Sequence, residues 1–269
     1  MTKILLSLAA VALFATGCTS KCEKALVLYY SENGTTKAVA EELAKQTGAD
    51  VEAIEAVVPY TGNFQETIER GGRELRGGET PAIKPLKAKL AQYDVIYLGY
   101  PIWFGTYAMP IATLVKEQTF EGKTIIPFCT FGSGGLGASV EALRKALPKA
   151  TIKEGYGVRA ARVASAAKEL DRFLKVNGLK EGEVEKLADY SAQQPVTEEE
   201  TALFDAACSG YQFPLGTPVT VGKRATADGT DYKFTAKSRG MNGEEADVII
   251  FVTVGNGPDA KPEFTEVVR

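Results

Sequence analysis

No histidine occurs anywhere in the 269 residues. That absence excludes Ser/His and Cys/His nucleophilic triads and histidine general bases, and it removes the ligand on which most zinc and non-haem iron sites are built. Chemistry in this chain therefore falls to a bound cofactor, with no metal expected. Cysteine is sparse as well. Beyond Cys18 there are Cys22, Cys129 and Cys208, with no C-x-x-C pair and no metal-type spacing. Three thiols cannot all pair internally and Cys129 stands in an apolar run, so no disulfide framework is expected, although a bridge between Cys22 and Cys208 stays open. Nor is there an excess of one charge: 31 Lys and Arg against 34 Asp and Glu give a net −3. Neither nucleic acid nor a broad anionic membrane surface is suggested as a partner. Composition is otherwise that of a soluble globular body, 45% hydrophobic and 24% charged.

The N-terminal apolar run, residues 4–14, follows Lys3 and is too short to span a bilayer. Ala15, Thr16, Gly17 and Cys18 come next. Small residues before a cysteine resemble the bacterial lipoprotein processing box, which implies removal of residues 1–17, lipid on Cys18, and residues 18–23 as a polar tether. An ordinary signal peptide with an incidental cysteine is the other reading. No twin arginine precedes the run, so the chain is expected to cross the membrane unfolded. The mature form loses one positive charge and keeps about 250 residues, enough for one sheet domain plus a smaller unit.

From Lys24 onward, short apolar runs alternate with stretches of helical spacing. Strands are expected over 25–30, 51–55, 95–99, 124–130 and 155–158, and helices over 36–46, 63–75, 108–117, 138–147 and 161–174. Gly48, Pro148 and Gly178 lie just past three of the helices. Such alternation predicts an α/β fold, a doubly wound parallel sheet with helices on both faces. Residues 71–85, rich in Gly, Arg and Pro, read as an irregular surface loop.

The pattern changes after Gly178. Residues 182–192 and 197–208 look helical, the second opening with Thr197 and Glu200 in capping-box spacing. Beyond Pro214, β-type runs at 218–224, 232–237, 248–254 and 264–268 are joined by the turn-like segments ADGTD and MNGEEAD. The expected domains are thus 24–177, carrying the parallel sheet, and 178–269, a smaller unit of helix and antiparallel β with no assigned role.

Three loops follow strands of the first domain. Ser31, Asn33, Gly34, Thr35 and Thr36 offer hydroxyl, amide and backbone donors at the start of a helix, the arrangement in which α/β proteins hold phosphate. The second loop carries Pro101, Ile102, Trp103, Phe104 and Gly105, with the chain's only tryptophan suited to stack on a flat ring. Thr130, Phe131, Gly132, Ser133, Gly134 and Gly135 form a glycine-rich third loop whose N–H groups could reach a ring's polar edge. Ligands of open doubly wound sheets sit at such strand ends, so the three together point to a mononucleotide.

YYSENGTTKAVAEELA, LGYPIWFGTYAMP and KTIIPFCTFGSGGLGASVEALRKALPKA, read in that order, resemble a flavodoxin, in particular the subgroup with a tryptophan in its second loop. The resemblance spans about residues 24–175. It implies a five-stranded parallel sheet in order 2-1-3-4-5, bound FMN, and one- or two-electron redox chemistry. By it, the first loop would hold the phosphate, the second flank the ring and the third close its other edge. Two departures stand out: Asn33 and Thr35 replace the usual third and fifth residues of the first loop, and Phe131 stands where relatives often have histidine. The function expected is electron transfer or flavin-dependent reduction at the cell envelope, with a redox partner protein or a small-molecule acceptor. In a quinone-type reductase, Tyr100 or Tyr107 could orient substrate. The alternative is a flavodoxin-fold binding module without redox activity, engaging a partner through its C-terminal unit.

Overall fold

Alternation along β1 (Ala25–Tyr29) sends Leu26 and Leu28 to one face of a sheet and Val27 and Tyr29 to the other, and all four are buried. Burial on both faces is what a parallel sheet between two layers of helix requires. The computed structural model describes residues 23–60, 63–132, 135–211, 214–239 and 243–268. After β1 come α1 (Thr35–Thr47), β2 (Asp50–Ala53), α2 (Phe64–Gly77), β3 (Val95–Trp103), β4 (Thr106–Tyr107), α3 (Met109–Glu117) and β5 (Thr124–Phe131). α4 (Gly137–Ala146), β6 (Thr151–Ile152), β7 (Tyr156–Arg159) and α5 (Ala166–Val176) complete the first unit.

The strands lie in the order β2-β1-β3-β5, and β6 and β7 share the last place, pairing in parallel with the start and the end of β5. With β4 set aside as a side hairpin on β3, this is the order 2-1-3-4-5 expected from the sequence. Ile111 and Leu114 of α3 and Leu143 of α4 pack with Leu28, Leu98 and Tyr100 on one face. Val39 and Leu43 of α1 and Leu170 and Leu174 of α5 pack with Val27, Tyr97 and Phe128 on the other.

Two boundaries differ from the sequence reading. α2 continues through Gly77, so residues 71–77 are helix and not loop; Gly71 and Gly72 are buried there against the rings of Trp103 and Phe104, and that packing overrides glycine's poor helix propensity. β3 also runs past Gly99 to Trp103, which reduces the second loop to a two-residue turn.

The C-terminal unit consists of β8 (Gln194–Pro195), α6 (Glu198–Cys208), β9 (Thr217–Thr226), β10 (Gly229–Arg239), β11 (Glu245–Gly255) and β12 (Glu263–Val268). Its strands form an antiparallel sheet in the order β12-β11-β10-β9-β8. The capping box is present: the Thr197 hydroxyl accepts from the Glu200 backbone N–H while the Glu200 carboxylate accepts from the Thr197 backbone N–H. Phe204 of α6 meets Phe234 of β10 edge-on at 5.2 Å, and both lie in the unit's own core.

Residues 182–192, expected as helix, contain none. The segment is a strap across the sheet. Ser191 N–H donates to the Lys223 carbonyl, the Lys223 N–H donates back to Ser191 Oγ, and Ala227 N–H donates to Glu185. The Ser191 carbonyl stands 2.7 Å from where a Cβ on Gly222 would be, an approach of bare backbone to backbone that a helix would prevent. Ladder bonds and this contact outweigh local helical periodicity. Of the expected turns, ADGTD is the β9–β10 hairpin, whereas MNGEEAD lies partly outside the described residues. Cys129 is buried and unpaired, and Cys208 is unpaired too; Cys18 and Cys22 lie outside the described residues.

Candidate functional site

The parallel register brings the strand ends to one level. Tyr29 pairs with Gly99, Pro101 with Thr130, and Phe131 with Arg159, so the segments after β1, β3, β5 and β7 leave the sheet side by side. Strand order reverses between β1 and β3, the place where open α/β sheets take their ligands. A cleft of about 950 Å³ opens there, at the upper end of the roughly 300–1,000 Å³ of small-molecule sites.

The first loop enters α1 at Gly34, whose φ of 90° is left-handed and reserved in practice for glycine. Gly34 gives the helix no side-chain cap, and the first turn holds no acidic residue. Positive charge from the helix dipole is therefore left for an anion. Within the loop, the Asn33 amide oxygen accepts from Thr35 N–H at 3.2 Å and Thr35 Oγ1 at 2.8 Å, and Ser31 Oγ accepts from Gly34 N–H at 3.2 Å. These are donors that an oxyanion could take over. Asn33 and Thr35 line the cleft, but Thr36 does not: it is fully buried, and its hydroxyl shares a 2.8 Å bond with that of Thr130. Thr36 thus ties the first loop to the third instead of facing a ligand.

In the second segment, Ile102 pairs with Tyr107 and Trp103 with Thr106 across the turn Phe104–Gly105. Both turn residues have positive φ, 52° and 78°, the pairing of a tight hairpin of type I′. For a phenylalanine this backbone is strained, and strain of that kind collects at functional positions. Phe104 is nonetheless 49% exposed, on the cleft rim near Phe64, which is 79% exposed. Trp103 is fixed from behind: Tyr30 and Tyr60 meet it edge-on at 5.9 and 4.9 Å. Tyr60 in turn donates to Glu74 at 2.5 Å and carries the Arg70 guanidinium 3.8 Å above its ring, while Arg70 donates to Glu74 and to the Val58 and Pro59 carbonyls. Burial and the Glu74 carboxylate hold the Tyr60 phenol firmly protonated. Pro101, Ile102, Trp103, Phe104 and Gly105 all line the cleft.

Of the third loop, Thr130, Phe131 and Gly132 line the cleft, Gly135 does not, and Ser133 and Gly134 lie outside the described residues. Among the described residues, its flanking ones aside, no atom stands within 4 Å of where a Cβ on Gly132 would be, which leaves room for a ligand there. Arg159 donates to the Gly132 carbonyl at 2.6 Å and sets that loop's position.

Tyr100 and Tyr107, candidates for orienting a substrate, are not among the lining residues. Tyr100 is fully buried, its phenol 3.2 Å from Ser139 Oγ and held protonated by burial, and Tyr107 packs against it. The core needed these rings, and strand alternation turned Tyr100 away from the rim.

Sequence reasoning missed the remaining walls. Glu32, Thr67 and Ile68 contribute to one side. Arg159, Ala161, Arg162 and Ser165, at and after the end of β7, form the floor. The opposite wall belongs to the C-terminal unit, through Ala207, Tyr211, Glu263 and Phe264. Ser165 Oγ donates to Glu263 at 3.2 Å and Lys168 pairs with Asp228 at 2.5 Å across the same junction. Among the described residues no group of three or more His, Cys, Asp or Glu side chains comes together as a metal site.

Three comparisons bear on this geometry. The family profile described as Flavodoxin matches residues 24–174. The curated NAD(P)H dehydrogenase (quinone) 3 of Rhizobium meliloti (strain 1021) is 33% identical over 122 residues, 41% of this chain and 54% of that protein, so the match spans about half the relative's length. Among solved structures, a protein from Bacteroides uniformis ATCC 8492 assigned as a flavoprotein is 28% identical, covers 55% of this chain and 98% of its own, and superposes with a TM-score of 0.50. A flavoprotein in complex with FMN from Lactobacillus acidophilus NCFM is 21% identical over 54% of this chain and 99% of its own, with a TM-score of 0.46.

Proposed function

Because the chain belongs to the flavodoxin family, we propose that its cleft holds FMN and that the protein passes electrons between a donor and an acceptor at the cell envelope, as a carrier or as a flavin-dependent reductase. The observation that carries this reading is the meeting of three strand-end segments around one cleft of mixed character. One end offers an uncapped helix N-terminus, the other an aromatic wall. Asn33, Thr35 and the α1 N-terminus would take the phosphate, Trp103 and Phe104 would flank the ring, and the open backbone at Gly132 would meet its polar edge. When bound, FMN supplies reversible uptake and release of electrons with their protons. The chain's residues hold and orient it. They need provide no general base, in keeping with a tryptophan backed by two phenols, Tyr30 and Tyr60, that burial keeps protonated.

The single tryptophan lines the cleft and reports on it. Titration of FMN into the purified chain is expected to give a yellow, saturable one-to-one complex whose absorption bleaches on reduction, with Trp103 fluorescence quenched in step. A colourless chain that ignores FMN would support a binding module acting through its C-terminal unit.

The envelope location rests on the segment before Cys18. Fatty-acid labelling in a bacterial host should mark the protein at Cys18 and disappear in Cys18→Ser; label retained in that variant rules the anchor out.

A further inference from the structure

Arg159 is only 6% exposed, yet its Nε has no hydrogen-bond partner, and the same holds for Nε of Arg162, whose Nη2 pairs with Glu169 at 2.6 Å. Both arginines line the cleft. Arg159 is enclosed by three rings, with its guanidinium carbon 5.4 Å from the centroid of Phe131, 5.2 Å from Tyr211 and 4.9 Å from Phe264, all within cation–π range. Tyr211 and Phe264 belong to the C-terminal unit and pack on each other at 4.8 Å. A buried guanidinium with an unmade bond is costly unless something completes it. The Tyr211 phenol, the ring faces and the charge of Glu266 soften that cost, but Nε stays without a partner, and Glu263 on the same wall receives Ser165.

We propose that the side of the cleft walled by Tyr211 and Phe264 is a second binding site, for a small planar molecule bearing an oxyanion that Arg159 and Arg162 receive, and that this molecule is the partner with which the bound cofactor exchanges electrons. The inference rests on the FMN reading and extends it: the C-terminal unit selects the redox partner by size and charge. Flat aromatic walls admit a conjugated ring system, the arginine donors select an acid such as a carboxylate, and a wall of this kind excludes a protein acceptor from the same face.

The arginines could instead serve the phosphate of FMN, and the test separates the two sources of oxyanion. The probes are 2-naphthoate, a planar acid, and its neutral counterpart 2-naphthamide, titrated calorimetrically into the FMN-loaded full chain. FMN and riboflavin affinities are measured on the same variants without cofactor. Binding of 2-naphthoate, preferred over the amide, is expected in the wild type, with a loss of about tenfold or more in Arg159→Gln and in Tyr211→Ala. Arg159→Lys, which keeps the charge if Gln disturbs folding, is expected to retain part of the binding. The preference for FMN over riboflavin should stay within about twofold in all of them, and FMN affinity itself within about twofold in Tyr211→Ala; in the Arg159 variants FMN and riboflavin weaken alike, because the Gly132 carbonyl loses its donor. The proposal is overturned if the wild type ignores 2-naphthoate, if the amide binds equally, or if the Arg159 variants lose the preference for FMN over riboflavin. Failure of FMN to bind the wild type at all would instead strike the reading on which it rests.

Discussion

Alanine at Gly99 is expected to destabilise the protein by about 3 kcal/mol, among the larger effects available from a single added methyl group. Gly99 lies in β3, at the centre of the parallel sheet, where a Cβ would stand 2.1 Å from the Phe128 ring on neighbouring β5, with two further ring atoms within 2.7 Å. Phe128 is 1% exposed and fixed among the side chains of α1 and α5, so the ring cannot step aside. The same pair sets the height at which β3 and β5 emerge, since Gly99 and Phe128 are direct register partners two rungs before the cleft. Urea denaturation of Gly99→Ala measures the loss. Pairing it with Phe128→Leu should recover part, because the smaller side chain returns the space. A midpoint unchanged from wild type would show that Phe128 does not pack where the structure has it.

Replacing Trp103 with alanine is expected to weaken FMN binding by about tenfold or more, equivalent to about 1.4 kcal/mol, from loss of the ring wall and relaxation of the Phe104–Gly105 turn. Because Trp103 also supports Tyr60 and covers Gly71, the same change should remove about 2 kcal/mol of stability by leaving a hole under those groups. Trp103→Phe separates the two roles: a smaller ring can keep the contact with Tyr60, so stability should largely recover while FMN affinity recovers only in part. Flavin fluorescence titrations and thermal melts on both variants check this. Equal FMN affinity in wild type and Trp103→Ala would remove the tryptophan from the site.

The parallel sheet was legible because its signals are local: apolar runs, helical spacing, glycines past helix ends. The first two segments of the cleft wall stood out for the same reason, since each is one continuous stretch at the end of one apolar run. Thr36 was read as a ligand on its residue type, yet its position one step inside α1 turns the hydroxyl toward Thr130. Residues 182–192 have helical periodicity but are claimed by bonds to Lys223 and Ala227, partners more than thirty residues away that no local pattern reveals. Arg159, Tyr211 and Phe264 carry no motif. They meet only because the C-terminal unit folds back on the rim, and the one hint in the sequence was an arginine at the very end of the last apolar run of the sheet. The charge on Arg159 also explains its silence, because a lone arginine in a sequence reads as solvated surface, and here burial draws its pKa down.

Asn33 and Phe264 border the same cleft although they belong to different units of the chain. The flavodoxin segment alone holds the sheet and the helix that greets an anion, but its ligand chamber is open on one side. A truncation that spares that entire segment would still leave the chamber without its far wall.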